Sequence, residues 1–475
     1  MSAELLGPFS HSRWSERFND RLAWALILGL VSLVCLLSFE RYFSQDEFEA
    51  IKSAWKIFAG DRIYIDFFQH HAPFLYYLLT PLFHITGETE TTIFAARLLM
   101  LGFTLGTLYL SYAISRMLFD RHVAVVSVLF LVASPLFVHK AIEIRPDVPQ
   151  VFFGLLSIYL LLSYFRCERI ATLMLSALSL GIAFLFLQKV VLLAVALHGV
   201  LLWRVFRRQI SFVVLLLFSG IFVGTWAIYC LYLLMTDQFS QYFFFNFEFN
   251  IVKLEQHYHQ TLLLLDHLKE FNAVVMACVL LAIVSTKTRS QWEFTWVALG
   301  ILAITMLHRT QFAQYYLLVL PLLAIIAARG WQLVNELHPP LAGLLLFASF
   351  ISAFASYAQA LLNMYSNSWQ LEKIAYVNEI TTASDYVYDG NVQFNVFRND
   401  LDFFWFGVGE GRSLDKYRML TNYEYNIYNL IEIYRPKLIS NYAITDLNHP
   451  VIRDHYEKSE RYDNLYVRIE PPHNE

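Results

Sequence analysis

Apolar residues in this chain come in long unbroken runs separated by short polar stretches, and that spacing decides most of the architecture. Runs at 22–39, 92–118, 123–138, 148–165, 173–187, 190–203, 212–234, 273–284, 294–307, 315–328 and 341–362 read as membrane-crossing helices, about eleven in all. A further apolar stretch, 73–85, is too short to cross. Its thirteen residues rise only about 20 Å as a helix, against a hydrocarbon core of about 30 Å. It is expected to lie on the membrane surface, with Phe74, Tyr77, Leu78 and Leu82 toward lipid. Just upstream, Phe48, Ile51, Trp55 and Phe58 form one stripe of a helical pattern, and Glu49, Lys52, Ser53 and Lys56 form the other. This predicts an amphipathic helix at the interface, its aromatic stripe at headgroup depth.

The basic residues orient these runs. If 73–85 stays on the surface and the N-terminus is inside, one face collects Arg13, Arg17 and Arg21, then Arg116 and Arg121, then Arg166 and Arg169. The same face collects Arg204, Arg207 and Arg208, then Lys287 and Arg289, then Arg329. That is the asymmetry of inward loops. Counting 73–85 as a span would send most of these clusters outside. The expected arrangement is a transmembrane domain over 1–363, with an outer loop at 44–86.

Beyond residue 363 the pattern changes to short alternating pieces at 385–388, 392–397, 437–440 and 465–469, with helical stretches at 369–380 and 425–434. This predicts a small α/β domain over 364–475 on the outer face. Composition agrees with a polytopic membrane protein: of 475 residues, 57% are hydrophobic and only 16% charged, against about 25% charged in ordinary soluble domains. The net charge of −4 decides nothing by itself. The first run ends in Phe39-Glu40 without a small-residue cleavage site, so it reads as a retained helix. Cys35, Cys167, Cys230 and Cys278 lie in or beside apolar runs and offer neither a disulfide framework nor zinc spacing.

Chemistry-bearing residues gather in the outward segments. The first loop carries Asp46, Glu47, Arg62, Tyr64, Asp66, His70 and His71. The stretch HKAIEIRPDVPQ supplies Lys140, Glu143, Arg145 and Asp147; a tight turn holds Gln188-Lys189; a later loop holds His308, Arg309 and Gln311. Each short outer loop thus sets a cation among apolar walls, where a charge needs a partner. Converging cations suit a phosphate or diphosphate, and neighbouring carboxylates suit a general base or a metal. Plainer readings exist for each: Asp46 as a solvated loop residue, His70-His71 as a structural interfacial pair, Glu143, Arg145 and Asp147 pairing across a turn. Lys189, whose only polar sequence neighbour is Gln188, reads as a contact for an anionic ligand. His257 and His259 have metal-compatible spacing in a loop.

The order of these elements resembles a known family. An Asp46-Glu47 pair follows the first span, then GDRIYID at 60–66, then HHAPFLYY. Ala96-Arg97-Leu98, the EIRPD stretch and the Gln188-Lys189 turn follow in sequence. Together they resemble the GT-C-type integral membrane glycosyltransferases, on the branch of protein O-mannosyltransferases and aminoarabinose transferases (bacterial glycosyltransferase family 39-like). The resemblance implies a GT-C fold and transfer of a sugar, with inversion, from a polyprenyl-phosphate-linked donor to a lipid, glycan or protein acceptor. It implies Asp46 as general base with Glu47 as companion, and Lys189 on the donor phosphate, joined by Arg145 and Arg309. Asp147 and Glu143 fall in the second acidic loop, with Asp66, His70, His71 and Tyr64 as further substrate-site candidates. At the start of the second surface helix the family's common Lys or Glu is replaced by His71-Ala72.

The expected partners are a polyprenyl-phosphate sugar and membrane lipid, with no nucleic acid. A divalent cation is the one cofactor left open. The expected location is a bacterial cytoplasmic membrane, N-terminus inside and C-terminal domain outside. The rival is a transporter or flippase for a lipid-linked saccharide, for which charges near mid-membrane and broken half-helices are expected. Charges clustered at one face, beside an acid pair, favour the enzyme.

Overall fold

The structure is a computed structural model, and the residues it describes are 9–251, 273–285, 288–307, 312–363, 366–410 and 412–469. Ten helices precede residue 236: α1 (Phe9–Glu40), α2 (Gln45–Ala59), α3 (Phe74–Thr86), α4 (Glu90–Leu118), α5 (Arg121–Val132), α6 (Pro135–Ala141), α7 (Asp147–Cys167), α8 (Ile170–Phe186), α9 (Val191–Phe206) and α10 (Phe212–Met235). Longer helices then cover Ala273–Ser285, Arg289–Leu307, Leu320–Leu337, Pro339–Asn363 and Ser368–Ile380. The chain divides into two compact units, one formed by Met1–Arg41, Arg97–Tyr229 and Tyr258–Met364, the other by Tyr42–Ala96, Cys230–His257 and Tyr365–Glu475.

The first unit is a helical bundle. All eleven predicted runs fall mainly on helix, and among the described residues six helices, or seven counting one bent pair, are long and apolar enough to cross a membrane. α7 packs on α8, and Leu320–Leu337 packs against both α5 and Ala273–Ser285. The last contact is close because Gly330 has no side chain: a Cβ there would lie 1.8 Å from the Cys278 carbonyl oxygen. The end of α1 leaves carbonyls without helical partners. Arg97, only 1% exposed, donates to those of Ser38 and Arg41 at 3.0 and 2.7 Å.

Two predicted spans differ from the structure. The run at 123–138 is broken between α5 and α6, which meet at a 71° bend. Pro135 disfavours helical geometry at the preceding residue, and Ser134 sits in the extended region at φ −90°, ψ 109°. The run at 315–328 opens in a short 3-10 turn, Ala313–Tyr316, and its helix begins only at Leu320, just before Pro321. Proline suits a first helical turn, where its missing N–H leaves no bond unmade.

In the second unit α2 and α3 pack together. α3 buries Leu75, Tyr76, Leu79 and Phe83 and leaves Phe74, Tyr77, Leu78 and Leu82 only partly covered, the side expected toward lipid. α2 departs from expectation. Its polar stripe is buried along with its apolar one. Lys52 donates to the carbonyls of Asn395 and Arg398 at 2.8 and 3.2 Å and to Asp400 at 2.6 Å, while Lys56 meets Asp400 at 2.9 Å. A segment from the far end of the sequence therefore covers the face that periodicity leaves to water. The same segment grips the loop after α2, through Phe68 N–H to the Phe403 carbonyl at 2.9 Å and Trp405 Nε1–H to the Phe68 carbonyl at 2.8 Å.

The small sheet of this unit has the order β1-β2-β4-β3, with β1 Val387–Tyr388, β2 Leu438–Ser440, β3 Tyr456–Lys458 and β4 Leu465–Arg468. β1 and β2 are parallel, and the other neighbours are antiparallel. The predicted strand at 392–397 is a loop instead. The Asp389 carboxylate accepts from the N–H groups of Gln393, Phe394 and Asn395 at 2.6, 2.8 and 2.9 Å, so those groups turn inward rather than joining a ladder.

Candidate functional site

Each unit presents its own cluster of sequence-predicted residues. In the second unit the chain enters α2 at Ser44, which stands at the N-cap in extended geometry. Glu47, three residues on, accepts from the Ser44 backbone N–H at 2.8 Å, closing the acidic half of a capping box. That use buries it completely, at 0% exposed, whereas Asp46 one residue earlier is exposed. Adjacent helical positions diverge by about 100°, so the acid pair is split into one inward and one outward carboxylate. Asp46 stands in the first helical turn, where the helix N-terminus favours a negative charge.

The loop after α2 turns at Gly60, in the left-handed region at φ 106°. Arg62 and Asp66 then form a two-pronged ion pair with both contacts at 3.0 Å, and Arg62 holds the Asp66 carboxyl below its ordinary value. Asp66 is thus committed to its own loop. Tyr64 is buried at φ 68° and donates its hydroxyl to the His71 carbonyl at 2.7 Å. Both residues shape the loop that carries His70 and His71. Those imidazoles lie side by side, with centroids 4.1 Å apart and planes inclined by 39°, and one ligand atom each from Glu49, His70 and His71 come within 4.8 Å of one another. Glu49 was read from the sequence only as part of a polar stripe.

The first unit gathers the second set at the start of α7. Pro146 forces Arg145 out of helical geometry, and α7 begins at Asp147. Glu143, 0% exposed, meets Arg41 at 2.5 Å, Lys140 at 2.8 Å and Arg145 at 3.3 Å. Burial alone would raise its pKa, but Lys140, Arg145 and Arg41 outweigh it and hold the carboxyl well below the usual range. Arg145 also reaches Asp147, at 3.5 Å. Lys189, in the 3-10 turn Gln188–Val190, lies 3.7 Å from Asp147 and 3.7 Å from the centroid of the Tyr315 ring. The sequence gives Lys189 no acidic neighbour, and the fold supplies one from α7.

The plainer reading of Glu143, Arg145 and Asp147 describes their contacts, with Arg145 bridging the two acids, within a wider network that Arg41 joins. Arg41 carried no prediction. Its position directly after Glu40 at the end of the first span is the signal that was available. Among the described residues this network holds four cations, Arg41, Lys140, Arg145 and Lys189, and two acids, Glu143 and Asp147. The Lys189 side chain is 39% exposed, while those of Arg41, Glu143, Arg145 and Asp147 are at most 9% exposed. His257, His259, His308, Arg309 and Gln311 lie outside the described residues.

Residues 70–229 match the family model of dolichyl-phosphate-mannose-protein mannosyltransferase. No curated protein matches the sequence. The fold is similar to that of ArnT from Cupriavidus metallidurans bound to undecaprenyl phosphate, with a TM-score of 0.69 at 14% identity over 94% of this chain and 97% of that one. It is also similar to the oligosaccharyltransferase AglB from Archaeoglobus fulgidus in complex with an inhibitory peptide and a dolichol-phosphate, with a TM-score of 0.55 at 13% identity over 96% of this chain and 75% of that one. At these identities the likeness is one of fold. The chain has the GT-C membrane architecture, as its ordered motifs imply.

Proposed function

We propose that this protein is an integral-membrane glycosyltransferase that moves a sugar from a polyprenyl-phosphate-linked donor to an acceptor hydroxyl at the outer face of a bacterial cytoplasmic membrane. The observation that carries the reading is the network at the start of α7, where four cations meet two acids in a largely buried setting. That positive surplus suits the phosphate of a lipid-linked sugar. The fold likeness supports the same class, since ArnT is seen with undecaprenyl phosphate and AglB with a dolichol-phosphate.

The proposed step needs no nucleotide. The acceptor oxygen attacks the anomeric carbon, the bond from that carbon to the phosphate oxygen breaks, and polyprenyl phosphate leaves with the bonding pair. Asp46 takes the acceptor proton, a role its exposed carboxylate permits and the buried, capped Glu47 does not. Lys189 and Arg145 are assigned to the phosphate, where negative charge grows as the bond breaks, and Arg309 is kept as a third candidate. Asp147 positions Lys189, and Glu143 keeps Arg41, Lys140 and Arg145 together. The Arg distribution supports an inward N-terminus and an outward 365–475 segment.

The test is transfer from a synthetic radiolabelled polyprenyl-phosphate sugar by the purified protein in nanodiscs, using a panel of lipid, glycan and peptide acceptors. Appearance of a glycosylated acceptor with stoichiometric polyprenyl phosphate supports the proposal. Movement of the intact lipid-linked sugar between leaflets without bond breaking would replace it with a transporter.

A further inference from the structure

Glu49, His70 and His71 have no part in the step proposed above, yet their surroundings are built with care. Glu49 lies on the buried stripe of α2 at 6% exposed, and one donor atom from each of the three residues lies within 4.8 Å of the others. A fully buried amide, Gln69, ties them together. Its Nε2 donates to Glu49 Oε1 at 3.0 Å and to Ser53 Oγ at 3.0 Å. Its Oε1 accepts the backbone N–H groups of His70 at 2.7 Å and His71 at 3.1 Å. One side chain thus holds the carboxylate and anchors the backbone of both histidines. Tyr64 and Asn250 hold the same loop from outside, bonding the carbonyls of His71 and His70 at 2.7 and 2.8 Å.

We propose that Glu49, His70 and His71 bind a divalent transition-metal cation, with zinc the best fit, and that the cation pins the histidine loop to α2. Two imidazole nitrogens and a carboxylate oxygen form a mixed set that suits zinc and disfavours magnesium or calcium, which prefer oxygen alone. Bonds of about 2.0–2.2 Å in tetrahedral geometry bring ligand atoms to about 3.4 Å apart, so donor atoms already within 4.8 Å of one another need close by at most about 1.4 Å. Gln69 is for Glu49 the outer partner that metal-ligating carboxylates ordinarily have, and it ties the histidine backbone to that carboxylate. Three protein donors leave a position for water or for an oxygen of a bound molecule. Asp46 stands three residues before Glu49 on the same helix. The cation therefore acts as a positioning element for the helix that carries Asp46, rather than as a participant in bond breaking.

The test reads metal and is independent of sugar transfer, so its failure leaves the proposed function standing. Full-length protein in detergent is stripped with a chelator and titrated with cobalt(II), following visible d–d absorption and metal content. The expected result is one cobalt per chain, with a spectrum of low coordination number, bleached by added zinc. His71→Asn and the near-isosteric Glu49→Gln should each weaken cobalt binding at least tenfold, and Gln69→Ala by about 10–100-fold. His84→Asn, at an exposed histidine elsewhere in the unit, should leave binding unchanged. Cobalt binding that is absent in the wild type, or equal in monodisperse Glu49→Gln and His71→Asn proteins, would overturn the proposal.

Discussion

Replacing Lys189 by methionine removes one positive charge while keeping an unbranched side chain of similar length. In the folded protein that ammonium lies 3.7 Å from Asp147 and 3.7 Å from the Tyr315 ring centroid, on a side chain 39% exposed. A partly exposed pair at that distance contributes under about 1 kcal/mol after screening, and the ring contact about 0.5–1 kcal/mol. Asp147 keeps Arg145 at 3.5 Å. Lys189→Met is therefore expected to fold, with a stability loss of about 1 kcal/mol. Donor binding should suffer more. A charge-assisted contact to phosphate is worth roughly 1.5–3 kcal/mol, equivalent to about a 10–150-fold rise in Kd. The assay is binding of a fluorescent polyprenyl-phosphate sugar in nanodiscs, with thermal unfolding measured in parallel. Unchanged donor affinity in a folded variant would refute the phosphate role and leave Lys189 as a partner of Asp147 only.

Four further outcomes are expected. Lys52→Met should destabilise the protein by about 2–3 kcal/mol, because it strips a buried ammonium from two carbonyls and Asp400 while Lys56 still partners that acid; a change in melting temperature within error would contradict this. Burial lowers the pKa of Lys52 to about 8, against the opposing pull of Asp400, so above about pH 8 the folded chain releases a proton that the unfolded chain holds up to about pH 10.5, and stability should gain a rising component across that window which the variant lacks. Glu47→Gln should lower transfer by only a few fold, since glutamine also completes a capping box at that position, and a loss as large as that of an Asp46 variant would reassign the base. A phosphatase reporter fused after Glu475 should be active and a cytoplasm-dependent fluorescent one dark; the reverse would place the 365–475 segment inside.

Much of the helical order was legible because spans announce themselves by length and uniform apolarity. The surface placement of 73–85 was an expectation from its length and from the Arg asymmetry; the structure makes it a helix, Phe74–Thr86, in the second compact unit. The break at Ser134 was also legible, in Pro135, but a continuous apolar run concealed it. The covering of the polar stripe of α2 was not legible. Periodicity separates Lys52 from Ile51, but cannot say that Asp400, 348 positions later, meets the lysine. Nor does periodicity find β3, whose three residues alternate over too short a length. At the site, residue types and loop positions picked out Glu143, Arg145, Asp147 and Lys189 one by one, and the fold joins them in one network. The same reasoning missed Glu49 and Gln69, because their significance lies in what the folded loop brings beside them.

In the proposed step, bond breaking at the anomeric carbon depends on a base at Asp46. Its most direct test is a single-turnover measurement with purified Asp46→Asn protein, following transfer from a synthetic polyprenyl-phosphate sugar while donor binding is recorded on the same sample. Asparagine keeps the size of the side chain and removes its capacity to take a proton. General-base catalysis is worth about 10²–10⁴-fold, so transfer should fall by that factor with donor affinity within a few fold of the wild type. Transfer at the wild-type rate by a folded Asp46→Asn protein would contradict the account.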